Sequence, residues 1–312
     1  MMHKRTTLVS APPEKLPEPR RVLPQYVIIS PARDEEQFIE KVLHSVASQK
    51  VRPLRWVLVD DGSQDRTPEI IETFARKYDW ITLLRRSASP ARNPRPAVVH
   101  AFNKGFDLLK DLDFEIVVKL DTDLELPEDY FEKLLTRFEN NSRLGIASGV
   151  YYEESGDELH MIAMPYYHAA GASKAIRRDC YQQIGGFAAT AGWDTLDEIR
   201  AQMKGWETRH YEDIPFRHLR VEGSAIGLLR TLNTNGSIYY LLGGGKFFFL
   251  LKCLRSVFVD KPFFWAGLEM MKGYVRCWLS GQGRAVSAEE ARCYRAMLNS
   301  RLTGRLRRPP NE

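Results

Sequence analysis

The sequence predicts an α/β fold in which a mostly parallel β-sheet carries helices on both faces. Short β-branched segments alternate with segments of helical hydrophobic periodicity, and the strand segments are apolar throughout. Acidic residues directly follow three of those strand segments. The 312 residues can bury a large core, and the balance of 45 Lys and Arg against 40 Asp and Glu disfavours a mainly disordered chain.

The two element types alternate along the first half of the chain. Strands are predicted at residues 26–30, 56–59, 81–84 and 115–120. Helices are predicted at residues 34–49, 67–78, 98–109 and 127–138. Further elements are predicted at residues 145–152 (strand), from 178 onward (helix) and at 194–204 (helix). Alternation of this kind is typical of a parallel sheet covered on both faces.

Composition divides the chain into three predicted parts. Residues 1–24 are rich in Pro and Arg and lack the apolar core of a secretory signal, so they are predicted to be a disordered tail. Residues 25–235 contain the alternating elements and are predicted to be the catalytic domain. Aromatic and aliphatic residues interspersed with Lys and Arg begin after Asn235, and residues 236–312 are predicted to form a helical, amphipathic extension.

The slight excess of positive charge belongs to the C-terminal fifth of the chain. Residues 251–312 hold 12 Lys and Arg against 5 Asp and Glu, a net charge of +7, which leaves 33 against 35 elsewhere. Apolar residues recur at helical spacing between 261 and 279, beside Lys272 and Arg276. Such a face either lies in a membrane interface or packs on the catalytic domain or a second subunit, and the sequence leaves both interpretations open.

Two further features bear on the cellular setting. No segment approaches the roughly 20 apolar residues of a membrane-spanning helix. The four cysteines form no CxxC pair, which fits a reducing cytosol better than a disulfide framework or a zinc site. We therefore expect a cytoplasmic protein, with peripheral attachment to the cytoplasmic face of a membrane as an open option.

The three acidic loops are the candidate functional segments. They contain Arg33 to Glu36, Asp60 and Asp61, and the pair Asp121 and Asp123. Each follows a predicted strand, and open α/β sheets bind ligands beyond the carboxyl ends of their strands. Carboxylates accept hydrogen bonds from nucleoside N–H and ribose hydroxyl groups, and paired carboxylates bind Mg²⁺ or Mn²⁺. Taken singly, each loop also fits a helix cap or a solvated turn.

Taken together, the loop motifs resemble those of the inverting family 2 glycosyltransferases. The motifs are PARDE at 31–35, VLVDDGSQDRT at 57–67 and LDTD at 120–123, and the resemblance extends over about residues 26–205. It implies a GT-A fold, a Rossmann-like and mostly parallel sheet with helices on both faces. It also implies that the first two loops hold the nucleoside of a nucleotide-sugar and that the DxD motif binds the metal and the diphosphate.

The resemblance assigns roles to individual residues. The nucleotide-sugar-binding set is Pro31, Ala32, Arg33, Glu35, Asp60, Asp61, Ser63 and Asp121. The expected cofactor is Mg²⁺ or Mn²⁺, bound by Asp121 and Asp123, with His218 as a candidate third ligand. The alternative role for His218 is that of an ordinary hydrogen-bonded histidine at a strand edge.

The resemblance also implies a catalytic base. The segments GASKAIRR at 171–178 and IGGF at 184–187 resemble the acceptor side of the family, and Asp194 lies where its base is expected. The sequence departs from the family pattern because Trp193 precedes Asp194 where the family has Glu. Asp197, one helical turn further on, is the fallback. The alternative role for Asp194 is to cap the helix that it opens.

The resulting hypothesis is a metal-dependent enzyme that moves one sugar, with inversion, from a UDP- or GDP-sugar to a hydroxyl of a glycan or lipid-linked acceptor. Bacterial polysaccharide or cell-envelope glycan synthesis is the expected setting. The missing QxxRW motif of the polymer synthases favours a single transfer. The alternatives are a polyprenyl-phosphate glycosyltransferase, whose phosphate acceptor needs no strong base, and a sugar-nucleotidyltransferase. A nucleic-acid partner is not expected, because the catalytic region carries a slight negative charge.

Overall fold

The structure is a computed structural model that describes residues 23–86, 94–155, 158–220, 227–259 and 263–303. The predicted tail therefore lies outside the described residues, apart from positions 23 and 24. Strands within these ranges are β1 (Tyr26–Ala32), β2 (Arg55–Asp60), β3 (Ile81–Arg85), β4 (Ile116–Leu120), β5 (Leu124–Glu125), β6 (Leu144–Ser155), β7 (Glu158–Met161), β8 (Ser173–Arg177) and β9 (Glu207–His218). Helices are α1 (Ile39–Ala47), α2 (Thr67–Lys77), α3 (Pro94–Asp107), α4 (Tyr130–Asn140), α5 (Arg178–Gln183), α6 (Trp193–Met203), α7 (Leu228–Leu241), α8 (Lys246–Val259), α9 (Trp265–Leu279) and α10 (Ala288–Thr303).

The strands form one mixed sheet with the order β3-β2-β1-β4-β8-β6-β9-β5, and β7 pairs with β6. Strands β3, β2, β1 and β4 are mutually parallel, and β8 then pairs antiparallel with β4. The carboxyl ends of β1, β2 and β4, which precede the three acidic loops, therefore point to the same edge of the sheet. The predicted α/β fold with helices on both faces is confirmed.

Both faces of the central strands are buried because successive side chains of a strand point in opposite directions. On β1, Ile28 belongs to the cluster that includes Leu43 of α1, whereas Ile29 belongs to the cluster that includes Phe102 of α3. All four side chains are fully buried. Burial of each contributes roughly 1.5–3 kcal/mol, which fixes the strand ends that carry the acidic loops.

The sequence pattern predicts that helix α1 begins at residue 34. In the structure it begins at Ile39. Asp34 has a positive φ of 54°, which no helical residue can adopt. The amide of Asp34 donates to Ser63 Oγ (3.0 Å), and Asp34 Oδ1 accepts from the amide of Gln64 (2.7 Å). The first acidic loop is thus bound to the second one and does not extend the helix.

Helices α7 to α10 follow the sheet and share a separate apolar cluster that includes Tyr239, Phe249, Met270 and Tyr274. The boundary expected at residue 235 falls inside α7, which begins at Leu228 and packs along α9. In the described part of the chain, none of the helices combines the length and apolar character needed to cross a membrane.

The α7–α9 contact depends on two glycines. A Cβ added to Gly273 would lie 1.8 Å from the carbonyl oxygen of Asn233, and one added to Gly236 would lie 1.9 Å from that of Met270. We expect Gly273→Ala to lower the free energy of unfolding by about 1–3 kcal/mol, because the helices must separate. Urea denaturation measures this change. Gly283→Ala, which meets open space, is the control, and equal stability of the two variants would contradict the packing described.

Candidate active site

The first two acidic loops are joined by reciprocal hydrogen bonds. Besides the Asp34 contacts, the amide of Glu35 donates to Thr67 Oγ1 (2.7 Å), and the amide of Glu36 donates to Asp65 Oδ2 (3.0 Å). Asp65 Oδ1 also accepts from the amide of Thr67 (3.0 Å), at the start of α2. The polar residues of both loops therefore build a rigid double loop at the ends of β1 and β2.

This double loop forms one wall of a cleft of about 420 Å³. The third acidic loop and one face of α3 complete the lining. The lining residues are Pro31, Ala32, Arg33, Glu35, Asp61, Ala97, Val98, Ala101, Asp121, Thr122 and Asp123. Small side chains from α3 leave the space open, and carboxylates from three strand ends meet in it. The cleft is therefore suited to a ligand that carries hydrogen-bond donors or a cation.

Asp61 lines the cleft next to a cation. Its side chain is 7% exposed, and its Oδ1 forms an ion pair with the guanidinium of Arg86 (3.3 Å). The ion pair holds the carboxylate at the cleft, where it can accept a hydrogen bond from an N–H or hydroxyl group of a bound ligand.

Asp60 and Ser63 make hydrogen bonds within the double loop. Asp60 is buried at the end of β2, and its Oδ1 accepts from the amide of Ser63 (3.1 Å). The hydroxyl of Ser63 accepts from the amide of Asp34. Neither residue lines the cleft among the described residues. Their predicted direct contact with a donor stays a prediction, and their observed contacts are structural.

Asp121 is held by a buried lysine from the preceding strand. Lys119 Nζ donates to Asp121 Oδ1 and, over 2.8 Å, to the carbonyl oxygen of Gly171. The amide of Asp121 donates to the carbonyl oxygen of Ala172 (2.7 Å). Burial raises the pKa of Asp121, and the charge of Lys119 acts in the opposite direction. This lysine fixes the position of the carboxylate at the cleft.

Asp123 lies between two basic side chains, that of His218 at the end of β9 and that of Arg220 two residues later. His218 Nε2 is 3.4 Å from Asp123 Oδ1, and Arg220 Nε is 3.7 Å from Asp123 Oδ2. His218 Nδ1 also contacts Glu153 Oε1 (3.0 Å), and Arg220 forms an ion pair with Glu35. His218 is thus brought to the DxD motif, as expected.

These neighbours set the protonation of the cleft. Burial acts to lower the pKa of His218, but its contacts with Asp123 and Glu153 outweigh burial and raise it to about 9. Burial acts to raise the pKa of Asp123, but His218 and Arg220 hold it below its ordinary value. For Glu35, burial raises the pKa to about 7, against the charge of Arg220. The two neighbouring basic side chains therefore favour the ionised form of Asp123.

The sequence predicts that Asp121 and Asp123 bind Mg²⁺ or Mn²⁺, with His218 as a candidate third ligand. Within the described residues, no group of three or more His, Cys, Asp or Glu side chains is arranged to hold a metal ion. Asp121 and Asp123 nevertheless both line the cleft, and His218 Nε2 lies 3.4 Å from Asp123 Oδ1. Carboxylate oxygens suit Mg²⁺ and Mn²⁺. The chemistry of the donor set fits such an ion only if a ligand in the cleft supplies the remaining oxygens.

Asp194 lies in the first turn of α6, next to the Lys119–Gly171 contact. A Cβ added to Gly171 would lie 3.5 Å from Asp194 Oδ2, so the carboxylate faces this glycine directly. The carboxylate Oδ1 accepts from the amide of Thr195 (3.1 Å), and the side chain is partly exposed. Asp194 and Asp121 therefore both adjoin Gly171, and a larger residue there would fill the space beside Asp194.

Asp197, the fallback base, is enclosed in the interior. Its carboxylate is 1% exposed and lies 3.1 Å from Lys174 Nζ, which is also 3.2 Å from Glu198 Oε1. Glu198 in turn accepts from the amide of Ala169 (2.8 Å) and contacts His168 Nδ1 (2.9 Å). Burial raises the pKa of Asp197 to about 8. These contacts favour a structural role for Asp197.

Lys174 connects this buried network to Asp194. Besides the two carboxylates, Lys174 Nζ donates to the backbone carbonyl oxygen of Asp194 (2.6 Å). Lys119 and Lys174 are directly opposite one another on β4 and β8, an arrangement that costs energy for like charges. The ring of Trp193 lies 5.6 Å from one ammonium and 5.5 Å from the other. The tryptophan that replaces the expected glutamate thus stabilises both lysines.

Sequence reasoning missed several residues of the site. The lysines Lys119 and Lys174 were not assigned, nor were Glu153 and Arg220. A charged residue within a buried strand, as at Lys119 in VVKL, is the signal that could have indicated the first, because buried charges require partners. Lys174, in the buried strand segment SKAIR, carries the same signal. Glu153 and Arg220 gave no local signal, because their partners come from distant parts of the chain.

The mixed sheet, with an acidic cleft at the ends of its parallel strands, defines a fold of the GT-A type. The family model for glycosyl transferase family 2 matches residues 27–192, and this chain belongs to that family. It is 25% identical over 179 residues to the glycosyltransferase GlyA of Streptococcus pneumoniae, covering 55% of this chain and 24% of that protein. It is 24% identical over 206 residues to the β-monoglucosyldiacylglycerol synthase of Synechocystis, covering 59% of this chain and 41% of that protein. The chain therefore spans less than half the length of these relatives.

Solved structures share the fold. The mannosyltransferase PcManGT from Pyrobaculum calidifontis, in complex with GDP-Man and Mn²⁺, superposes with a TM-score of 0.55 at 18% identity, covering 92% of this chain and 82% of that one. TarS 1-349 of S. aureus, in complex with UDP-GlcNAc, gives a TM-score of 0.52 at 14% identity, covering 90% and 92%. Identities this low show a common fold and nothing finer.

Proposed function

We propose that this glycosyltransferase moves one sugar from a UDP- or GDP-sugar to a hydroxyl of a glycan or lipid-linked acceptor, with inversion at the anomeric carbon. The observation that carries the proposal is a single cleft lined by residues of all three acidic loops. Asp194 is outside this lining and faces Gly171, whose carbonyl oxygen accepts from the same Lys119 ammonium that binds Asp121. The two solved neighbours support the donor class, since one binds GDP-Man and the other UDP-GlcNAc. The relative named β-monoglucosyldiacylglycerol synthase supports a lipid acceptor.

The residues of the cleft divide the work of the reaction. The double loop binds the nucleoside, and the carboxylate of Asp61, which lines the cleft, accepts a hydrogen bond from one of its donor groups. Mg²⁺ or Mn²⁺ would be held by Asp121 and Asp123, with His218 beside them. Such an ion supplies positive charge that stabilises the departing nucleoside diphosphate. Lys119 holds Asp121 in place and adds a second positive charge nearby.

Asp194, whose carboxylate faces Gly171, acts on the acceptor. Its partly exposed carboxylate takes the proton of the acceptor hydroxyl as the hydroxyl oxygen attacks the anomeric carbon. The bond to the diphosphate breaks on the opposite face of the sugar, so one displacement inverts the configuration. Asp197 is not suited to this step because Lys174 encloses its carboxylate. We therefore propose Asp194 as the base, and Asp197 as a residue that supports it.

We further propose that the enzyme works in the cytoplasm, on the cytoplasmic face of the membrane. Nucleotide-sugars and the four free cysteines fit that compartment. A lipid-linked acceptor would require the enzyme to approach a bilayer.

Thermal stabilisation by a panel of nucleotide-sugars, each with Mn²⁺ or with EDTA, tests the donor proposal. A donor at 100 times its dissociation constant should add about 2.7 kcal/mol to the stability of the folded state, and we expect this only with the metal. Asp123→Asn should lose the stabilisation, whereas Asp113→Asn, an exposed carboxylate outside the cleft, should keep it. Stabilisation that persists in EDTA, or in Asp123→Asn, would contradict the assigned role of Asp123.

A further inference from the structure

The exposed apolar side chains of the protein are concentrated on α8 and at the start of α9. Six of them are 54% to 69% exposed. We call them the α8–α9 patch: Phe247, Leu250, Leu254, Phe258, Phe264 and Trp265. The α8 members follow one another at intervals of three or four residues, so they share one face of that helix. Contiguous exposed apolar surface of this kind marks a site of interaction with a protein or a membrane.

The patch is not a misplaced part of the core. The opposite face of α8 is buried, and Phe248, Phe249 and Cys253 pack there in the helical cluster. A Cβ added to Gly267 of α9 would lie 2.3 Å from the carbonyl oxygen of Cys253, so the two helices are in close contact. Both helices are therefore fixed by their inner faces, and the patch is a stable outer surface.

Phe264 connects the exposed faces of the two helices. It lies at the start of α9 with a φ of 65°, and its amide donates to the carbonyl oxygen of Val257 (2.9 Å). Its ring is 64% exposed and 6.5 Å from the ring of Phe258. Phe264 therefore extends the exposed apolar face of α8 onto α9.

Charge indicates what covers the patch. The described residues of α8 and α9 include the cations Lys246, Lys252, Arg255, Lys272 and Arg276, against one carboxylate, that of Glu269. A second copy docked symmetrically on this face would bring two equally cationic surfaces together. An anionic lipid surface complements both the cations and the apolar side chains between them.

A cleft of about 330 Å³ lies on the α7–α9 side of the same bundle. Its lining includes Arg230, Lys272 and Arg276 together with Glu269, which pairs with Lys272 (3.2 Å), so the recess carries a net positive charge. Lys272 is one turn beyond Leu268, an exposed apolar residue that follows Trp265 on α9. Cations that line a recess next to an apolar face can contact lipid phosphate groups while the apolar side chains enter the bilayer.

We propose that the α8–α9 patch is a peripheral membrane-binding surface, which enters the interface of an anionic bilayer while α8 lies along it. The helical bundle is joined to α6 by the ion pair of Arg200 with Glu290 (2.7 Å) and by the packing of Gly192 against Ile238 and Leu242. A bound bilayer would thus be tied to the helix that carries Asp194. The link to a lipid-linked acceptor rests on the proposed function; the membrane contact itself does not.

Flotation with lipid vesicles tests the proposal on the full chain. We expect binding to vesicles of phosphatidylcholine with phosphatidylglycerol at low salt, and much weaker binding to phosphatidylcholine alone. The double variant Phe258→Glu with Trp265→Glu should reduce the partition coefficient roughly tenfold or more. Leu108→Glu with Leu159→Glu adds the same charge at two exposed apolar sites outside the patch, and it should bind as the unmodified chain does.

Three results would overturn the proposal. These are no binding to anionic vesicles at low salt, equal loss of binding in both double variants, and a concentration-dependent dimer that the patch variant dissociates while vesicles remain unbound. The last result would assign the patch to a second copy. Donor binding, measured on the same preparations, is a separate readout, so vesicle binding without any donor binding would refute the proposed function and leave the membrane surface intact.

Discussion

Asp194→Asn is expected to reduce the rate of sugar transfer by about 10² to 10⁴, the usual contribution of a general base. Asparagine has nearly the same size, and its side-chain oxygen can still accept from the amide of Thr195. It cannot take up the proton of the acceptor hydroxyl. Because Asp194 lies outside the donor-binding loops, the affinity for the donor should be preserved. Steady-state transfer rates, together with donor titrations of the same variant, measure both quantities.

Asp179→Asn provides a matched control, since Asp179 is also an acidic residue in the first turn of a helix, α5, but lies at an exposed position. We expect it to transfer sugar at the normal rate. A normal rate in Asp194→Asn would contradict the role of the base and would favour the polyprenyl-phosphate alternative, because an ionised phosphate acceptor has no proton to lose. A rate that falls together with donor affinity would instead indicate damage to the cleft.

Lys174→Met is expected to lower the free energy of unfolding by about 3–5 kcal/mol, the usual cost of removing one partner of a buried ion pair. Lys174 is fully buried and contacts Asp197 Oδ1 (3.1 Å), Glu198 Oε1 (3.2 Å) and the carbonyl oxygen of Asp194. These carboxylates raise the pKa of Lys174, although burial alone would lower it. Methionine fills the space but leaves two buried carboxylates without their shared cation. Chemical denaturation measures the loss.

The exposed pair of Lys104 and Asp107 supplies the comparison for this prediction. Its side chains are 62% and 63% exposed, so Lys104→Met should cost about 0.5 kcal/mol or less. Adding Asp197→Asn and Glu198→Gln to Lys174→Met should recover part of the lost stability, because the uncompensated charges are removed. If the triple variant is less stable than Lys174→Met alone, the loss does not arise from unpaired carboxylates.

The sequence predicted the central sheet and its acidic edge because both depend on local pattern. Apolar strands followed directly by carboxylates, as at Val59 to Asp61, show where a buried strand ends and where a ligand site begins. The family resemblance then placed Asp194 beside that edge. The contact of Asp194 with Gly171 and the enclosure of Asp197 required coordinates, since the residues involved are separated along the chain.

Other features depended on pairings that no local pattern shows. The helix predicted from residue 34 begins five residues later because Asp34 bonds to Ser63 and Gln64 in the neighbouring loop. In the extension, apolar periodicity predicted helices, but the glycines Gly236 and Gly273, which allow α7 to contact α9, carry no hydrophobic signal. The boundary predicted from composition at residue 235 lies inside α7.

The central claim is that the acidic cleft binds a nucleotide-sugar with the help of a divalent ion. Calorimetric titration of the full chain with UDP- and GDP-sugars, in Mn²⁺ and in EDTA, tests it most directly. We predict saturable heat with at least one donor in Mn²⁺. Little or no heat is expected in EDTA or in the double variant Asp121→Asn with Asp123→Asn. Absence of heat with every donor in Mn²⁺, or equal heat from the double variant, would contradict it.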